Sequence, residues 1–378
     1  MKVLMISTDR KIFEENSAVR QRMVEYGNLV DDLHIIVFSK KTGFERRIIG
    51  NRTQVYSTNS INKFMYIFDA IRIGRKIIGS NLNRDKWLVT TQDPFETGLV
   101  GWFIAKTKKA KLHLQVHADF LSMKFQMASV LNKSRGQLAT LLIMQADGVR
   151  VVSERIKNSI SKWQIKKAEK ISILPIFVDL EKIKNTQPKI DLHKKYSKFE
   201  FIILMASRLE KEKNIPLAMD VMKEIIKEYP KVGLVIVGDG SLRKSLELSA
   251  LSYKLSASIV FAGWQDNLVS YYKTADLFLN TSNFEGYGMT LIEAAASGCP
   301  VLTTDVGLVG DVLKEGSVEI CKVGNKKCFI KKLEEILNNK AKLKTMTLKA
   351  MEDIDSRIIK NKQDYLQLIK EDWERCFV

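Results

Sequence analysis

Cysteine, histidine and proline are scarce in this 378-residue chain, at four, four and six residues. The cysteines, Cys299, Cys321, Cys328 and Cys376, form no CxxC pair. So sparse a set excludes a disulfide scaffold and implies reduced thiols in a cytosolic setting. Glycine and proline together number 26, which excludes collagen and disordered linker arrays. No stretch approaches the roughly 18–20 consecutive apolar residues of a spanning helix. The opening run Met1-Lys2-Val3-Leu4-Met5-Ile6 is too short for a signal peptide. A cytoplasmic protein is expected, with any membrane contact peripheral and on the inner face. No repeat or low-complexity tract is visible. With no nucleic-acid-binding motif either, nucleic acid is disfavoured as a partner.

Positive charge is abundant: 61 Lys and Arg stand against 43 Asp and Glu, a net of +18. Such a balance points to an anionic partner. Its placement is uneven. Residues 1–174 hold 30 basic and 15 acidic residues, a net of +15, and residues 175–378 hold 31 and 28, a net of +3. At about 100–200 residues per domain, the length suits two domains.

Short β-rich runs alternate with longer helical ones. Strands are expected at Lys2–Ser7, His34–Phe38, Trp87–Thr91, Leu112–His117, Gly148–Ser153 and Ile171–Pro175. Helices are expected at Ser17–Leu29, Asn62–Gly79 and Gly136–Ala146. A second series has strands at Phe199–Ala206, Val232–Val237, Ile259–Ala262, Leu277–Asn280 and Val301–Thr303. This is the alternation of α/β, doubly wound parallel sheets. The expected organisation is a Rossmann-like domain over 1–175, a polar linker over 176–198 and a second Rossmann-like domain over 199–353. A helical segment over 354–378 would be free to pack back on the first domain. Two such domains in tandem would leave a cleft, with ligands beyond the carboxyl ends of the strands.

The densest signal is Ser282-Asn283-Phe284-Glu285-Gly286-Tyr287-Gly288-Met289-Thr290-Leu291-Ile292-Glu293-Ala294, between a strand and a helix expected to end at Ser297 before Gly298 and Pro300. Its glycines let backbone approach a ligand, and the helix start offers N–H groups to phosphate. Glu285 and Glu293 suit hydroxyl groups. Arg208 and Lys213, after the strand Phe199–Ala206, can converge on one anion. The plain alternatives are a capping carboxylate and surface charges. In the first half, alternation puts His113, Gln115 and His117 on one face, with His117 at the strand's carboxyl end and His113 read as structural. Asp93, Pro94 and Glu96 read as a helix start.

These elements resemble the retaining GT-B glycosyltransferases of the E-x7-E type, a GT4-like group that includes phosphatidylinositol mannosyltransferases and bacterial capsule and lipopolysaccharide enzymes. Glu285 and Glu293 match the E-x7-E motif, and Gly298-Cys299-Pro300-Val301 matches G-x-PV. Ser207-Arg208-Leu209 to Lys213, Gly238-Asp239-Gly240 and Phe261-Ala262-Gly263 resemble three further motifs in the family's order. The resemblance is strong over about 199–305. It implies two Rossmann-like domains facing a cleft, the first binding the acceptor and the second the donor.

It further implies that Arg208 and Lys213 hold the donor diphosphate, Glu285 the transferred sugar and Glu293 the ribose. Backbone N–H groups of Gly286, Tyr287, Gly288 and Met289 would lie nearby. Gly263 and Trp264 would meet the base, with plain packing equally open for Trp264, and Asp239 is read as a turn residue. His117 would lie close to the sugar and leaving phosphate. No cofactor or metal is expected: Asp353-Ile354-Asp355 is a literal D-x-D, but in a polar late segment. The chain departs from the family in lacking a Gly-Gly pair after the first strand, where it has Ser7-Thr8-Asp9-Arg10-Lys11.

The implied activity is retaining transfer of a hexose from a UDP- or GDP-sugar to a hydroxyl of a glycan or lipid-linked acceptor. A GT-B nucleotide-sugar 2-epimerase and a catalytically dead membrane-associated scaffold are the rivals. The +15 then falls on the acceptor side. Phe64, Tyr66, Phe68, Arg72, Arg75 and Lys76, together with Phe120-Leu121-Ser122-Met123-Lys124-Phe125, would suit an anionic membrane surface, unless their apolar members are core.

Overall fold

The computed structural model describes residues 1–79, 86–162 and 170–378. It divides into two compact units, residues 1–175 with 361–378, and residues 176–360. The stretch 176–198 is therefore part of the second unit and not a free linker. It carries the short helices Leu180–Asn185 and Leu192–Lys195, capped by Asp179 and Asp191.

Unit 1 is built on eight strands: β1 (Lys2–Ser7), β2 (Asp32–Val37), β3 (Arg46–Gly50), β4 (Thr53–Ser57), β5 (Trp87–Thr91), β6 (Lys111–Val116), β7 (Gly148–Val151) and β8 (Ile171–Ile173), in the order β3-β4-β2-β1-β5-β6-β7-β8. All pairs are parallel except β3 with β4. That edge hairpin departs from the all-parallel expectation. β3 is short and mostly exposed, so it shows little apolar alternation.

The helix Lys362–Glu374 belongs to this unit. It buries Tyr365, Ile369 and Trp373. Its Asp372 Oδ2 lies 2.9 Å from His113 Nε2, while Thr90 Oγ1 sits 2.8 Å from the other ring nitrogen. Burial alone would raise the Asp372 pKa, but His113, Ser172 and Arg150 outweigh it and hold the carboxyl below its ordinary value. His113 thus ties this helix to the sheet.

Unit 2 has six parallel strands: β9 (Phe201–Ala206), β10 (Val232–Val237), β11 (Ile259–Gly263), β12 (Leu277–Asn280), β13 (Val301–Thr304) and β14 (Glu319–Cys321), in the order β11-β10-β9-β12-β13-β14. β9 and β10 are buried along their whole length, as parallel strands covered on both faces must be. The helix Ala341–Arg357 runs through residue 353, so the expected boundary there falls inside a helix.

The four-thiol expectation is corrected here. Cys321, at the end of β14, is disulfide-bonded to Cys328 in the first turn of the helix Lys326–Asn338. Their Cα atoms are 5.8 Å apart, within bridging range, because strand and helix turn back on each other over a short loop. Cys299 and Cys376 are buried free thiols.

Candidate functional site

In unit 2, β10 and β11 lie to one side of β9, and β12, β13 and β14 to the other. The loops after β9 and β12 therefore part at the reversal of strand order, the place where open α/β sheets form ligand crevices. The chain knits these two loops together. The Thr281 hydroxyl reaches the carbonyls of Lys213 at 3.1 Å and Asn214 at 3.0 Å. The Asn283 N–H donates to the Glu212 carbonyl at 2.7 Å.

Across this junction Lys213 Nζ donates to Glu285 Oε1 at 2.6 Å. Each side chain is only 14% exposed, so water screens the pair weakly. The Ser282 hydroxyl lies 2.8 Å from the same carboxylate oxygen and 2.7 Å from Asn280 Oδ1. Arg208 does not share this pair. Its guanidinium donates to Glu212 at 2.8 Å from a side chain that is 69% exposed. Arg208 and Lys213 thus bond to different carboxylates, Arg208 to Glu212 of its own loop and Lys213 to Glu285 across the junction.

Gly286, Tyr287 and Gly288 lead into the helix Met289–Ala296. Gly288 has φ +94° and no side chain caps that end, so backbone N–H groups form its face. Tyr287 is buried, and its carbonyl accepts from Leu308 N–H at 2.9 Å. Glu293, one helix turn further in, accepts from the Tyr272 hydroxyl at 3.3 Å. Burial raises its pKa, and the Tyr272 bond opposes that rise.

Backbone hydrogen bonds also join the loop after β10 to the end of β11 and to the loop after β9. Gly238 N–H donates to the Gly263 carbonyl at 2.8 Å, and Leu209 N–H to the Asp239 carbonyl at 2.9 Å. Asp239 also sits 3.4 Å from Arg243, so it acts within its turn. Trp264 is 60% exposed, and its indole N–H meets Asp266 at 3.0 Å. Of the D-x-D, Asp355 pairs with Lys184 at 2.7 Å and Asp353 accepts from the Lys314 backbone at 3.2 Å.

Unit 1 has its own strand reversal between β1 and β5, where Ser7 Oγ donates to Gln92 Oε1 at 2.7 Å. His117 follows β6. It is partly buried, with Nε2 3.3 Å from Gln115 Oε1. Burial, reinforced by Arg150 and Arg22, pushes its pKa down to about 3. At neutral pH it is an uncharged imidazole that can donate or accept one hydrogen bond, not a cation. Asp119, just beyond, has its pKa raised by burial against a bond from Ser159.

The expected helix start at Asp93 shifts by two residues. The helix is Glu96–Lys108, while the Asp93 carboxylate accepts the Phe95 N–H at 2.8 Å in a turn ahead of it. Glu96 turns away to Arg135, at 2.8 Å.

Residues 188–353 match the family model described as glycosyl transferases group 1. The match covers a little under half of the 378 residues. The chain is 28% identical over 226 residues to alpha-monoglucosyldiacylglycerol synthase of Streptococcus pneumoniae, a match covering 57% of this chain and 51% of that protein. The chain spans about half the length, or less, of the first curated relatives it matches. Among solved structures, HepE of Anabaena in complex with UDP and glucose superposes with a TM-score of 0.77 at 18% identity, over 98% of each chain. Sucrose-phosphate synthase of Thermosynechococcus elongatus superposes with a TM-score of 0.81 at 19% identity, over 100% of this chain and 99% of that one. The fold is of the GT-B type.

Within the matched segment, the motif residues Lys213, Glu285 and Gly288 gather at one strand reversal. Of the polar residues that hold them there, Thr281 and Glu212 had no role in the sequence reading, and Ser282 and Asn283 entered it only as the opening of the glycine-containing run. Their signal was the run Asn280-Thr281-Ser282-Asn283 closing an apolar strand, a cluster of hydrogen-bonding side chains where a buried strand meets a loop.

Proposed function

We propose that the chain is a retaining glycosyltransferase that moves a hexose from a nucleotide diphosphate sugar to a hydroxyl of a glycan or lipid-linked acceptor. The observation that carries this reading is the weakly screened Lys213–Glu285 pair beside the glycine-led helix start, at the strand reversal of the segment that matches glycosyl transferases group 1. UDP-sugars are the first donors to test, since HepE is seen with UDP and glucose, and GDP-sugars the second. A lipid acceptor follows the glucosyldiacylglycerol synthase likeness.

In this reading Glu285 binds hydroxyls of the transferred sugar, with Lys213 keeping the carboxylate turned to them. The departing diphosphate would meet the N–H groups of Gly286, Tyr287, Gly288 and Met289, Lys213, and Arg208 released from Glu212. Fixed donors aimed at developing charge are worth most where water is excluded, and no metal is required in this scheme. Glu293 would take the ribose, and Gly263 and Trp264 the base. Neutral His117 would hydrogen-bond the sugar side.

The test is transfer from UDP-glucose, UDP-galactose, UDP-N-acetylglucosamine and GDP-mannose to diacylglycerol and glucosyldiacylglycerol, with the product anomer read by NMR. A retained α-linkage, abolished by Glu285→Gln, supports the proposal. An epimer formed from donor alone would replace it with the 2-epimerase reading. Absence of nucleotide binding by calorimetry would leave a scaffold.

A further inference from the structure

The helix Met65–Ile78 in unit 1 is split along its length. Ile61 and Phe64, just ahead of it, and Phe68, in its first turn, are 86%, 85% and 65% exposed, whereas Tyr66 is buried. Phe64, Phe68, Arg72 and Arg75 recur at spacings of four, four and three, so they form one stripe on the helix surface. Its second half borders a groove of about 490 Å³ lined by Phe68, Ile71, Arg72, Arg75, Lys76 and Lys108. The acid on this stretch, Asp69, is already engaged by Ser60 at 2.6 Å and Arg72 at 3.4 Å.

Part of this has a plain cause. Arg75 and Lys76 lie in the last turn of their helix, and Lys106 and Lys108 in the last turn of Glu96–Lys108, where cations offset the helix dipole. The dipole does not explain three large apolar side chains in water beside them. Lys63 is exposed between Ile61 and Phe64, but along the stripe Phe64, Phe68, Arg72 and Arg75 the two kinds are segregated, where stacked bases between phosphate contacts would interleave them. Apolar groups stand at one end of the stripe and cations at the other, which is the layering of a bilayer interface, acyl chains beneath phosphate headgroups. The net +15 of residues 1–174 supplies the matching long-range field.

We propose that this face docks unit 1 on an anionic phospholipid bilayer, with Ile61, Phe64 and Phe68 entering the interface and lipid phosphates held in the groove by Arg72, Arg75 and Lys76. The proposal goes beyond the donor site and is scored without turnover, so it stands or falls apart from the glycosyltransferase reading.

The experiment is flotation of the full chain with vesicles of phosphatidylcholine alone and of equal parts phosphatidylcholine and phosphatidylglycerol. Binding only to the anionic vesicles is expected, weakening as salt is raised. Arg72→Ser with Lys76→Ser should lose about fivefold for each cation removed. Phe64→Ser with Phe68→Ser should weaken binding about tenfold or more. Both Phe side chains are exposed, so this variant should keep the wild-type melting temperature. Equal binding to neutral vesicles, or unchanged binding by the double Phe variant, would overturn the proposal. So would a single-stranded oligonucleotide that displaces the vesicles and loses its own binding with the same substitutions.

Discussion

The two α/β units finish their strands by different means. Among the described residues, eight of the ten glycines with positive φ are in unit 2, and unit 1 has only Gly43 and Gly79. Unit 2 turns its strand ends with backbone that side chains cannot follow, then brings charged groups onto that frame. Unit 1 ends its strands with side-chain hydrogen bonds, such as Ser7 to Gln92 and the Phe95 N–H to the Asp93 carboxylate. Rigid backbone turns hold a reacting geometry closely, whereas side-chain turns leave room for a surface to vary.

If chemistry resides in the glycine-framed unit, Glu285→Gln should lower turnover about 100- to 1,000-fold in protein that is still folded at the assay temperature, with a lowered melting temperature because Lys213 loses its ionic partner. His117→Gln should cost less, because a neutral imidazole and an amide can make a similar hydrogen bond. Steady-state rates with one donor and acceptor decide it. A larger loss at His117 would reverse the comparison.

The frame itself can be broken next. A Cβ at Gly238 would lie 1.9 Å from the Ser207 carbonyl oxygen, at φ +131°, so Gly238→Ala must move one strand-end loop off another. A loss of about 2–3 kcal/mol is expected. Gly43, at φ +79° with nothing within 4 Å of a built Cβ, bears only the cost of its conformation, so Gly43→Ala should lose about 1 kcal/mol. Denaturant melts compare the two, and equal losses would show that the unit 2 turn relaxes freely.

Acid separates the units by sign. The folded pKa of His117 is depressed from 6.5 to about 3, so the unfolded chain binds its proton first. That contribution to stability is present above pH 6.5 and is lost as pH falls towards 3. The Glu293 pKa is raised, so its folded state binds the proton first and gains stability as pH falls through that raised value. His117→Gln should flatten the acid limb of the melting curve, and Glu293→Gln should raise stability at neutral pH. The same sign from both variants would contradict the burial assigned to one of them.

Legibility followed the same division. The strand cores were readable to within a residue or two, with Lys2–Ser7, Trp87–Thr91, Val232–Val237 and Leu277–Asn280 matching, because buried parallel strands are continuous apolar runs. The glycine loop around Glu285 was readable because a helix entered from a left-handed glycine needs that residue type. The role of Thr281 was not, since a hydroxyl that satisfies two carbonyls across a fold looks like any loop hydroxyl, and neither was the bond from Ser282 to Glu285. The β3–β4 hairpin was missed because an exposed edge strand has little apolar pattern. The Cys321–Cys328 bond was missed because composition argued for thiols while only the turn between β14 and its helix brings the sulfurs together.

The smallest effect tests how the exposed cation is used. Arg208 is bonded to Glu212, not to the Lys213–Glu285 pair, and at 69% exposure this bond is worth well under about 1 kcal/mol of stability. If Arg208 serves a donor diphosphate, Glu212 competes with that diphosphate for one guanidinium. Glu212→Gln keeps the side-chain shape, and the Glu212 carbonyl that accepts the Asn283 N–H is backbone and stays in place. The variant should therefore melt like the wild type, bind nucleoside diphosphate a few-fold more tightly by calorimetry, and lose that gain when combined with Arg208→Ala. Tighter binding that survives Arg208→Ala would mean that Glu212 acts through general charge and not by holding Arg208. Weaker binding would mean that the Arg208–Glu212 pair presents the guanidinium to the ligand, and the loop after β9 would then act as a single prearranged unit, as the loop around Glu285 does.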